Sequence, residues 1–219
     1  MIKAVLFDMD GTILDTERIH KVCWEKAMEE AGIPYTDTTF YDLIGLNDES
    51  TKNYLMKNFG ISERTYTDLS IYAYDIAKRY SEEIGVPVKK GFFRLQKYLK
   101  EQGIKTAVVT SSIRYVAENN FRLADITVPF DAIIGGDCVT NGKPDAEPYL
   151  KAAQALSVPY EECLAAEDST NGIKSAHAAG IKCVYIKDIV DVPAEVKAFA
   201  AYEAASLDKI IDIIGELNR

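Results

Sequence analysis

The sequence lacks an apolar run long enough to cross a membrane or to act as a signal segment. Its first apolar stretch, residues 2–7, meets Asp8 after only a few residues, whereas a membrane span needs about 20. The four cysteines are widely scattered without metal-ligand spacing, so we expect reduced thiols rather than a metal site. Repeats and low-complexity segments are also absent. We therefore expect a cytoplasmic protein with no membrane partner.

The chain also lacks an excess of positive charge. It has 25 Lys and Arg against 34 Asp and Glu, which gives a formal net charge of -9. Nucleic acids and anionic membranes would be repelled by this balance, so neither is an expected partner. We expect a monomer that binds a small molecule. If that molecule is a phosphate ester, a bound divalent cation and nearby lysines must reverse the charge locally.

Short apolar runs alternate with helical patterns through most of the chain. The runs are residues 2–7, 105–109, 131–134, 163–166 and 182–186. This alternation is typical of an α/β protein with a Rossmann-like parallel sheet covered by helices. Residues 16–85 break the pattern, because they contain charged, tyrosine-rich helical stretches without a convincing buried strand. We predict a core domain of residues 1–15 and 86–219 and an inserted helical cap domain of residues 16–85.

The first predicted strand runs directly into an acid-rich turn. Asp8 and Asp10 lie two residues apart, and Gly11 allows a turn that gathers them with Thr12. A buried sheet face would not accept two unpaired anions, so a cation, which we take to be Mg²⁺, should lie there. An ionised carboxylate can attack phosphorus to give an aspartyl-phosphate, and we assign this role to Asp8. Asp10 could protonate the departing alkoxide and then activate water.

Hydroxyl groups and a lysine follow the next strands. Thr110 and Ser111 end the second long run, where hydroxyl and backbone N–H groups at a helix start can hold phosphate oxygens. Ser111 or Ser112 could instead simply cap that helix. Lys143 precedes Pro144, which suits the first position of a helix. We expect Lys143 to neutralise the phosphate or Asp8, although a solvated lysine remains the alternative.

Two adjacent acids close the fourth run. Glu167 and Asp168 come at the end of residues 163–166, and Ser169 is expected to cap the helix that follows. Carboxylates, water and a substrate oxygen are the ligands that Mg²⁺ prefers. We expect Asp168 to bind the metal directly and Glu167 to bind it directly or through water.

The order of these motifs resembles that of the haloacid dehalogenase superfamily, in its β-phosphoglucomutase-like branch. The matching segments are Asp8-Met9-Asp10-Gly11-Thr12, Thr110, Lys143-Pro144 and Glu167-Asp168-Ser169-Thr170-Asn171-Gly172. The resemblance implies a Rossmann-like core, a helical cap inserted after the first motif, and Mg²⁺ as cofactor. It also implies that Asp8 is the nucleophile and that Asp10 is the acid/base, with a backbone oxygen on the metal. It implies further that Thr110 and Lys143 contact phosphate and that Glu167 and Asp168 lie at the metal.

One loop departs from the pattern of the mutases in this branch. Those enzymes carry an arginine that holds the second phosphate of a sugar bisphosphate, whereas residues 45–50 here include Asp48 and Glu49. Acids would repel a second phosphate. We therefore predict a magnesium-dependent phosphatase that acts on a small phosphorylated metabolite such as a sugar phosphate, with a β-phosphoglucomutase-type mutase as the alternative. Gly45 and His20 are candidate substrate residues of the cap, although His20 could equally be a partly exposed helix residue.

Two further classes of protein fit these residues less well than a phosphatase. A dehalogenase would leave Asp10 without an alkoxide to protonate. A signalling receiver that accepts phosphate would also combine acids, a threonine and a lysine around Mg²⁺, but it would have no need of the long insert. Multiple-turnover phosphate release distinguishes an enzyme from a receiver.

Overall fold

The computed structural model describes residues 1–43, 48–127 and 130–219. The chain divides into two compact units. The core unit consists of Met1–Asp15 and Pro87–Arg219, and the helical unit consists of Thr16–Val86. In the described parts of the chain, every helix is too short or too polar to cross a bilayer.

The core unit is built on a six-stranded parallel sheet. Its strands are β1 (Ala4–Phe7), β2 (Lys105–Val109), β3 (Ala132–Ile134), β4 (Cys163–Glu167), β5 (Lys182–Ile186) and β6 (Tyr202–Ala204). The strand order is β3-β2-β1-β4-β5-β6. The chain therefore builds outward on one side of β1 and then on the other, and open sheets of this kind bind ligands beyond the strand ends at that switch. The predicted Rossmann-like α/β fold is confirmed.

The register brings the ends of the three central strands to the same level. Phe7 of β1 lies opposite Val108 of β2 and Ala166 of β4. The pairing continues one residue further, because the backbone N–H of Asp8 donates to Ala166 O at 2.9 Å. The residues that follow β1, β2 and β4 consequently emerge at one edge of the sheet.

The helical unit contains four helices in its described residues. These are α1 (Thr16–Glu30), α2 (Asp37–Leu43), α3 (Asp48–Phe59) and α4 (Glu63–Ile84). Its apolar centre includes Met28, Leu55 and Tyr66. The Trp24 ring stacks on Tyr66, with 6.3 Å between the ring centroids. This unit thus has a small hydrophobic core of its own.

Helices cover both faces of the core sheet. They are α5 (Phe92–Glu101), α6 (Arg114–Leu123), α7 (Glu147–Leu156), α8 (Thr170–Ala178), α9 (Ala194–Lys197) and α10 (Ile210–Leu217). Leu6 packs in one cluster with Tyr149 of α7 and Ile173 of α8. The next residue, Phe7, points to the opposite face and meets Phe92 of α5 at 6.1 Å between ring centroids. Because both faces are buried, the central part of the sheet is mainly apolar, and all four residues of β1 are buried.

One strand was not predicted, and one expected helix start was wrong. Strand β6 was not predicted, because its three residues, Tyr202–Ala204, form a short edge strand without an apolar run. Pro144 does not begin a helix: α7 starts at Glu147, and Pro148 occupies its first turn. The Glu147 carboxylate accepts the backbone N–H groups of Thr140 and Asn141 at 2.9 and 2.8 Å, which holds the preceding loop outside the helix.

Candidate active site

Lys143 is the cationic centre of the site. Its Nζ lies 2.6 Å from Asp8 Oδ1 and 2.5 Å from Glu167 Oε1, and its side chain is only 5% exposed. The three residues come from the loop before α7, the end of β1 and the end of β4. The alternative of a solvated lysine is therefore wrong, because the ammonium group is buried between two carboxylates.

Glu167 is fully buried and is held by several donors. Its Oε1 accepts hydrogen bonds from Lys143 Nζ at 2.5 Å and from Tyr149 Oη at 2.8 Å. Its Oε2 accepts a hydrogen bond from Ser169 Oγ at 3.1 Å. A buried carboxylate is stable only when it is paired and hydrogen-bonded in this way. Ser169 also caps α8 by accepting the Gly172 N–H at 3.0 Å, which confirms the cap predicted for it.

Three acids meet beside this lysine. One carboxylate oxygen from each of Asp8, Glu167 and Asp168 lies within 4.8 Å of the others. Carboxylate oxygens are the ligands that Mg²⁺ prefers, and a single lysine does not balance the negative charge of the group. These three carboxylates therefore fit a divalent cation as ligands. The carboxylate of Asp10 is not one of these three groups. The contact predicted between Asp10 and the metal is through its backbone oxygen.

Asp168 is fixed by the turn that follows β1. Thr12 Oγ1 donates a hydrogen bond to Asp168 Oδ1 at 2.8 Å. Gly11 has a φ of +82°, and a Cβ at that position would lie 2.2 Å from Asp168 Oδ2. Glycine is required there both for its left-handed backbone conformation and for the close approach of the carboxylate.

The hydroxyl-rich end of β2 lies at the same edge of the sheet. Thr110 is buried, and its Oγ1 accepts the backbone N–H of Ser112 at 3.0 Å. Ser111 is exposed. Ser112 Oγ donates to Asp10 Oδ2 at 3.2 Å and so orients the carboxylate of the predicted acid/base. Contact of Thr110 and Ser111 with phosphate stays a prediction.

The start of α6 differs from the expected serine cap. The helix begins at Arg114, with Ile113 at the N-cap position and no side-chain cap hydrogen bond. The Arg114 N–H donates to Asp137 Oδ1 at 2.9 Å, so an acid from the loop after β3 satisfies the helix end. Ser112 is thereby available for its hydrogen bond to Asp10.

Two predicted substrate residues belong to the helical part of the chain. His20 lies exposed on α1. Gly45 lies outside the described residues. Asp48, an acid predicted to repel a second phosphate, accepts a hydrogen bond from the hydroxyl of Tyr66 at 2.5 Å and begins α3. Roles for His20 and Gly45 in substrate binding stay predictions.

Burial and charge set the ionisation of the central residues. Burial raises the pKa of Asp8 well above its ordinary value; Lys143 opposes the shift, and Glu167 and Asp10 add to it. Burial acts to lower the pKa of Lys143, but Asp8 and Glu167 together raise it above the ordinary value. Burial also raises the pKa of Tyr149, so its hydroxyl stays protonated and donates. Added positive charge would favour the ionised form of Asp8.

Tyr149 is a site residue that the sequence analysis missed. Its ring is fully buried, and Lys143 Nζ lies 5.4 Å from the ring centroid, in addition to the hydrogen bond with Glu167. A buried tyrosine usually needs a partner for its hydroxyl, which is the only signal that could have indicated this role. The partner itself could not be read from local sequence.

Known proteins resemble this chain over most of its length. The haloacid dehalogenase-like hydrolase family matches residues 5–186. A phosphorylated carbohydrates phosphatase of Thermotoga maritima is 30% identical over 217 residues, which cover 99% of this chain and 99% of the relative. A β-phosphoglucomutase of Bacillus subtilis is 31% identical over 192 residues, which cover 84% of this chain and 82% of the relative.

Two solved structures are similar to this chain over nearly its whole length. The crystal structure of a β-phosphoglucomutase from Clostridium difficile has a TM-score of 0.81 and 25% identity, covering 99% of this chain and 96% of that one. CbbY from Rhodobacter sphaeroides in complex with phosphate has a TM-score of 0.82 and 25% identity, with 96% of both chains covered. The resemblance predicted from the motifs is confirmed. The chain belongs to the haloacid dehalogenase-like hydrolase family, in its β-phosphoglucomutase-like branch.

Proposed function

We propose that this protein is a magnesium-dependent phosphatase that hydrolyses a small phosphorylated carbohydrate or a similar metabolite through an aspartyl-phosphate intermediate. The observation that carries the proposal is the buried contact of Lys143 with Asp8, at 2.6 Å, beside the carboxylates of Glu167 and Asp168. The phosphatase of Thermotoga maritima, which matches over the whole chain, supports the substrate class.

In the first half of the reaction, Asp8 is the nucleophile. One of its carboxylate oxygens attacks the phosphorus atom, and the bond from phosphorus to the alkoxide oxygen breaks. Asp10 donates a proton to the departing alkoxide, and its hydrogen bond with Ser112 supports this orientation. The products of this half are a free alcohol and phosphorylated Asp8.

In the second half, Asp10 acts as a base. It takes a proton from a water molecule, whose oxygen attacks the phosphorus of the aspartyl-phosphate. The bond from phosphorus to the Asp8 oxygen breaks, which releases inorganic phosphate and the Asp8 carboxylate. Asp8 and Asp10 are then restored for another cycle. Lys143 neutralises charge on the transferring group, and Thr110 and Ser111 bind its oxygens.

The residues suited to hold Mg²⁺ are Asp8 and Asp168, with a backbone oxygen of Asp10. When bound, the cation supplies charge neutralisation for the nucleophile and the phosphoryl oxygens. Glu167 supports the site chiefly through Lys143, because its oxygens already accept from that residue, Tyr149 and Ser169.

A mutase is the second candidate, and the identity with the Bacillus subtilis β-phosphoglucomutase favours it. Such an enzyme would convert β-glucose 1-phosphate to the 6-phosphate without net release of phosphate. The two candidates share Asp8, Asp10 and Lys143, so only the products separate them. Incubation with β-glucose 1-phosphate, followed by assays for inorganic phosphate and for the 6-phosphate, distinguishes them directly.

The decisive experiment measures phosphate release from a panel of sugar phosphates, nucleotides and phosphoglycolate, with Mg²⁺ and with a chelator. We expect multiple turnovers only with Mg²⁺. Asp8→Asn should abolish turnover, because the amide is not a nucleophile toward phosphorus. Asp10→Asn should lower turnover by about 10²- to 10⁴-fold through loss of general acid/base catalysis.

A surface substitution provides the control. Asp212→Asn removes one negative charge from α10, where the side chain is 73% exposed, and should leave turnover unchanged. Full activity of Asp8→Asn would contradict the mechanism. Failure of the purified wild-type protein to release phosphate from every ester, with Mg²⁺ present, would contradict the proposed function.

A further inference from the structure

Asp188 is a buried acid that the chemistry proposed above does not use. It follows β5, which pairs with β4 in the sheet, and its side chain is 5% exposed. Its Oδ1 forms an ion pair with Lys89 Nζ. The backbone N–H of Lys89 donates to Ile13 O at 2.8 Å, so the pair is tied to the turn that carries Asp10 and Gly11.

The other carboxylate oxygen of Asp188 has no hydrogen-bond partner among the residues that the structure describes. Within the described ranges, Oδ2 is buried and accepts no hydrogen bond. A buried charged oxygen that is left unsatisfied destabilises the folded protein, so native proteins supply a donor, a water molecule or an ion. The orphaned oxygen therefore indicates a ligand or ordered water at this point.

Gly11 shows which region this oxygen faces. A Cβ on Gly11 would lie 2.2 Å from Asp168 Oδ2 and 3.1 Å from Asp188 Oδ2, so both oxygens approach the same side of the glycine. Thr12 Oγ1 binds the other oxygen of Asp168, Oδ1. The unsatisfied oxygen of Asp188 is thus next to the carboxylate oxygen of Asp168 that Thr12 does not bind.

We propose that Asp188 is a positioning residue of the magnesium site, whose Oδ2 accepts a hydrogen bond from water on the cation held by Asp168. This inference rests on the proposed function. Mg²⁺ in proteins usually keeps several water molecules, and acceptors that orient such groups contribute to metal affinity. Lys89 fixes the carboxylate by holding its other oxygen.

Asp188→Asn tests the role with little change of shape. Lys89 needs an acceptor, so the amide oxygen will face it and the amide N–H₂ group will replace Oδ2, which presents a donor where an acceptor is required. Mn²⁺ serves as the probe, and electron paramagnetic resonance measures the free ion in a titration of the protein without substrate. We expect affinity to fall about 10- to 100-fold relative to wild type.

Asp191→Asn is the matched control. Asp191 lies three residues further along the same loop and pairs with Lys197 at 2.7 Å, so its substitution removes the same charge from the same segment. Mn²⁺ affinity should remain that of wild type. Equal weakening by Asp191→Asn and Asp188→Asn would overturn the inference, because the effect would then come from net charge alone.

Turnover gives a second readout. In Asp188→Asn, the Mg²⁺ concentration for half-maximal rate should rise by about the same 10- to 100-fold factor, while kcat at saturating Mg²⁺ recovers. A merely structural role would lower thermal stability and leave this concentration unchanged, which would overturn the inference. If Asp188→Asn does not fold, Asp188→Ala is measured in its place.

The outcomes separate the two proposals. Wild-type affinity for Mn²⁺ in a folded Asp188 variant, with an active wild-type enzyme, overturns only the role of Asp188. A wild-type protein that neither binds Mn²⁺ nor releases phosphate overturns the proposed function and this inference with it.

Discussion

Replacing Tyr149 with phenylalanine removes one hydroxyl from the most enclosed part of the site. That hydroxyl donates to Glu167 Oε1 at 2.8 Å, and both residues are fully buried. The phenylalanine ring has the same shape, so it keeps the packing of α7 on the sheet and the contact of Lys143 with the ring face, 5.4 Å from the centroid. The substitution therefore isolates the hydrogen bond.

The expected loss follows from the partners that Glu167 retains. A hydrogen bond to a charged group contributes about 1.5–3 kcal/mol to the free energy of unfolding. Because Lys143 and Ser169 still donate to the carboxylate, it is not left unpaired, and we expect the lower part of that range, about 1.5–2 kcal/mol. For a chain of this size such a loss lowers Tm by about 3–8 °C.

Urea unfolding followed by far-UV circular dichroism measures this change. The single tryptophan, Trp24, lies in the helical unit, so its fluorescence follows that unit while circular dichroism follows both. The slope of the transition should stay constant while the midpoint falls, as expected when stability alone changes.

Tyr115→Phe is the control for this prediction. Tyr115 lies on α6 and is 73% exposed, so its substitution should change the free energy of unfolding by no more than about 0.5 kcal/mol. If Tyr149→Phe proves as stable as Tyr115→Phe, the hydroxyl does not stabilise the buried carboxylate, and the account of Glu167 as a residue that depends on several donors is wrong.

Two further predictions concern the site and its supporting loop. Gly11→Ala puts a Cβ 2.2 Å from Asp168 Oδ2 at a positive φ, so Mn²⁺ affinity and turnover should both fall. Gly215→Ala is the control, because its Cβ would meet nothing within 4 Å among the described residues and should change neither quantity. Equal behaviour of the two variants would show that Asp168 does not need a glycine at position 11. The hydrogen bond from Lys151 has the largest effect on Glu147 and, with those from backbone N–H groups, lowers its pKa from 4.5 to about 2. This stabilisation is fully present above pH 4.5 and is lost as pH falls toward about 2. Glu147→Gln should therefore have a lower urea midpoint than wild type at pH 7 and an equal one near pH 2, and a difference that persists in acid would contradict the assignment.

Much of the core could be predicted because its signals are local. Apolar runs before Asp8, Thr110 and Asp168 indicate buried parallel strands, and parallel strands bring their carboxyl ends to one edge. The acids at those ends could therefore be expected to meet around a cation. Strand β6 was not predicted because a three-residue edge strand carries no such signal.

The helix starts near the site were less predictable. Pro144 and the serines after Thr110 have the residue types of helix starts, yet α7 and α6 begin at Glu147 and Arg114. At α6, Asp137 from the loop after β3 accepts the backbone N–H of Arg114. At α7, the first helical residue, Glu147, accepts the backbone N–H groups of Thr140 and Asn141 in the preceding loop. These contacts select one helix start among several that the local sequence allows.

By itself, the sequence determined the fold class, the helical insert and the set of acids around the first turn, because these depend on hydrophobic periodicity and on charge that cannot be buried unpaired. Only the tertiary structure decided that Lys143 bridges Asp8 and Glu167 and that Tyr149 donates to Glu167. It also decided that Asp188 approaches Gly11 with an oxygen that accepts no hydrogen bond from the described residues. These contacts join residues far apart in the chain. Their choice depends on how helices and loops pack around the sheet, which no local pattern specifies.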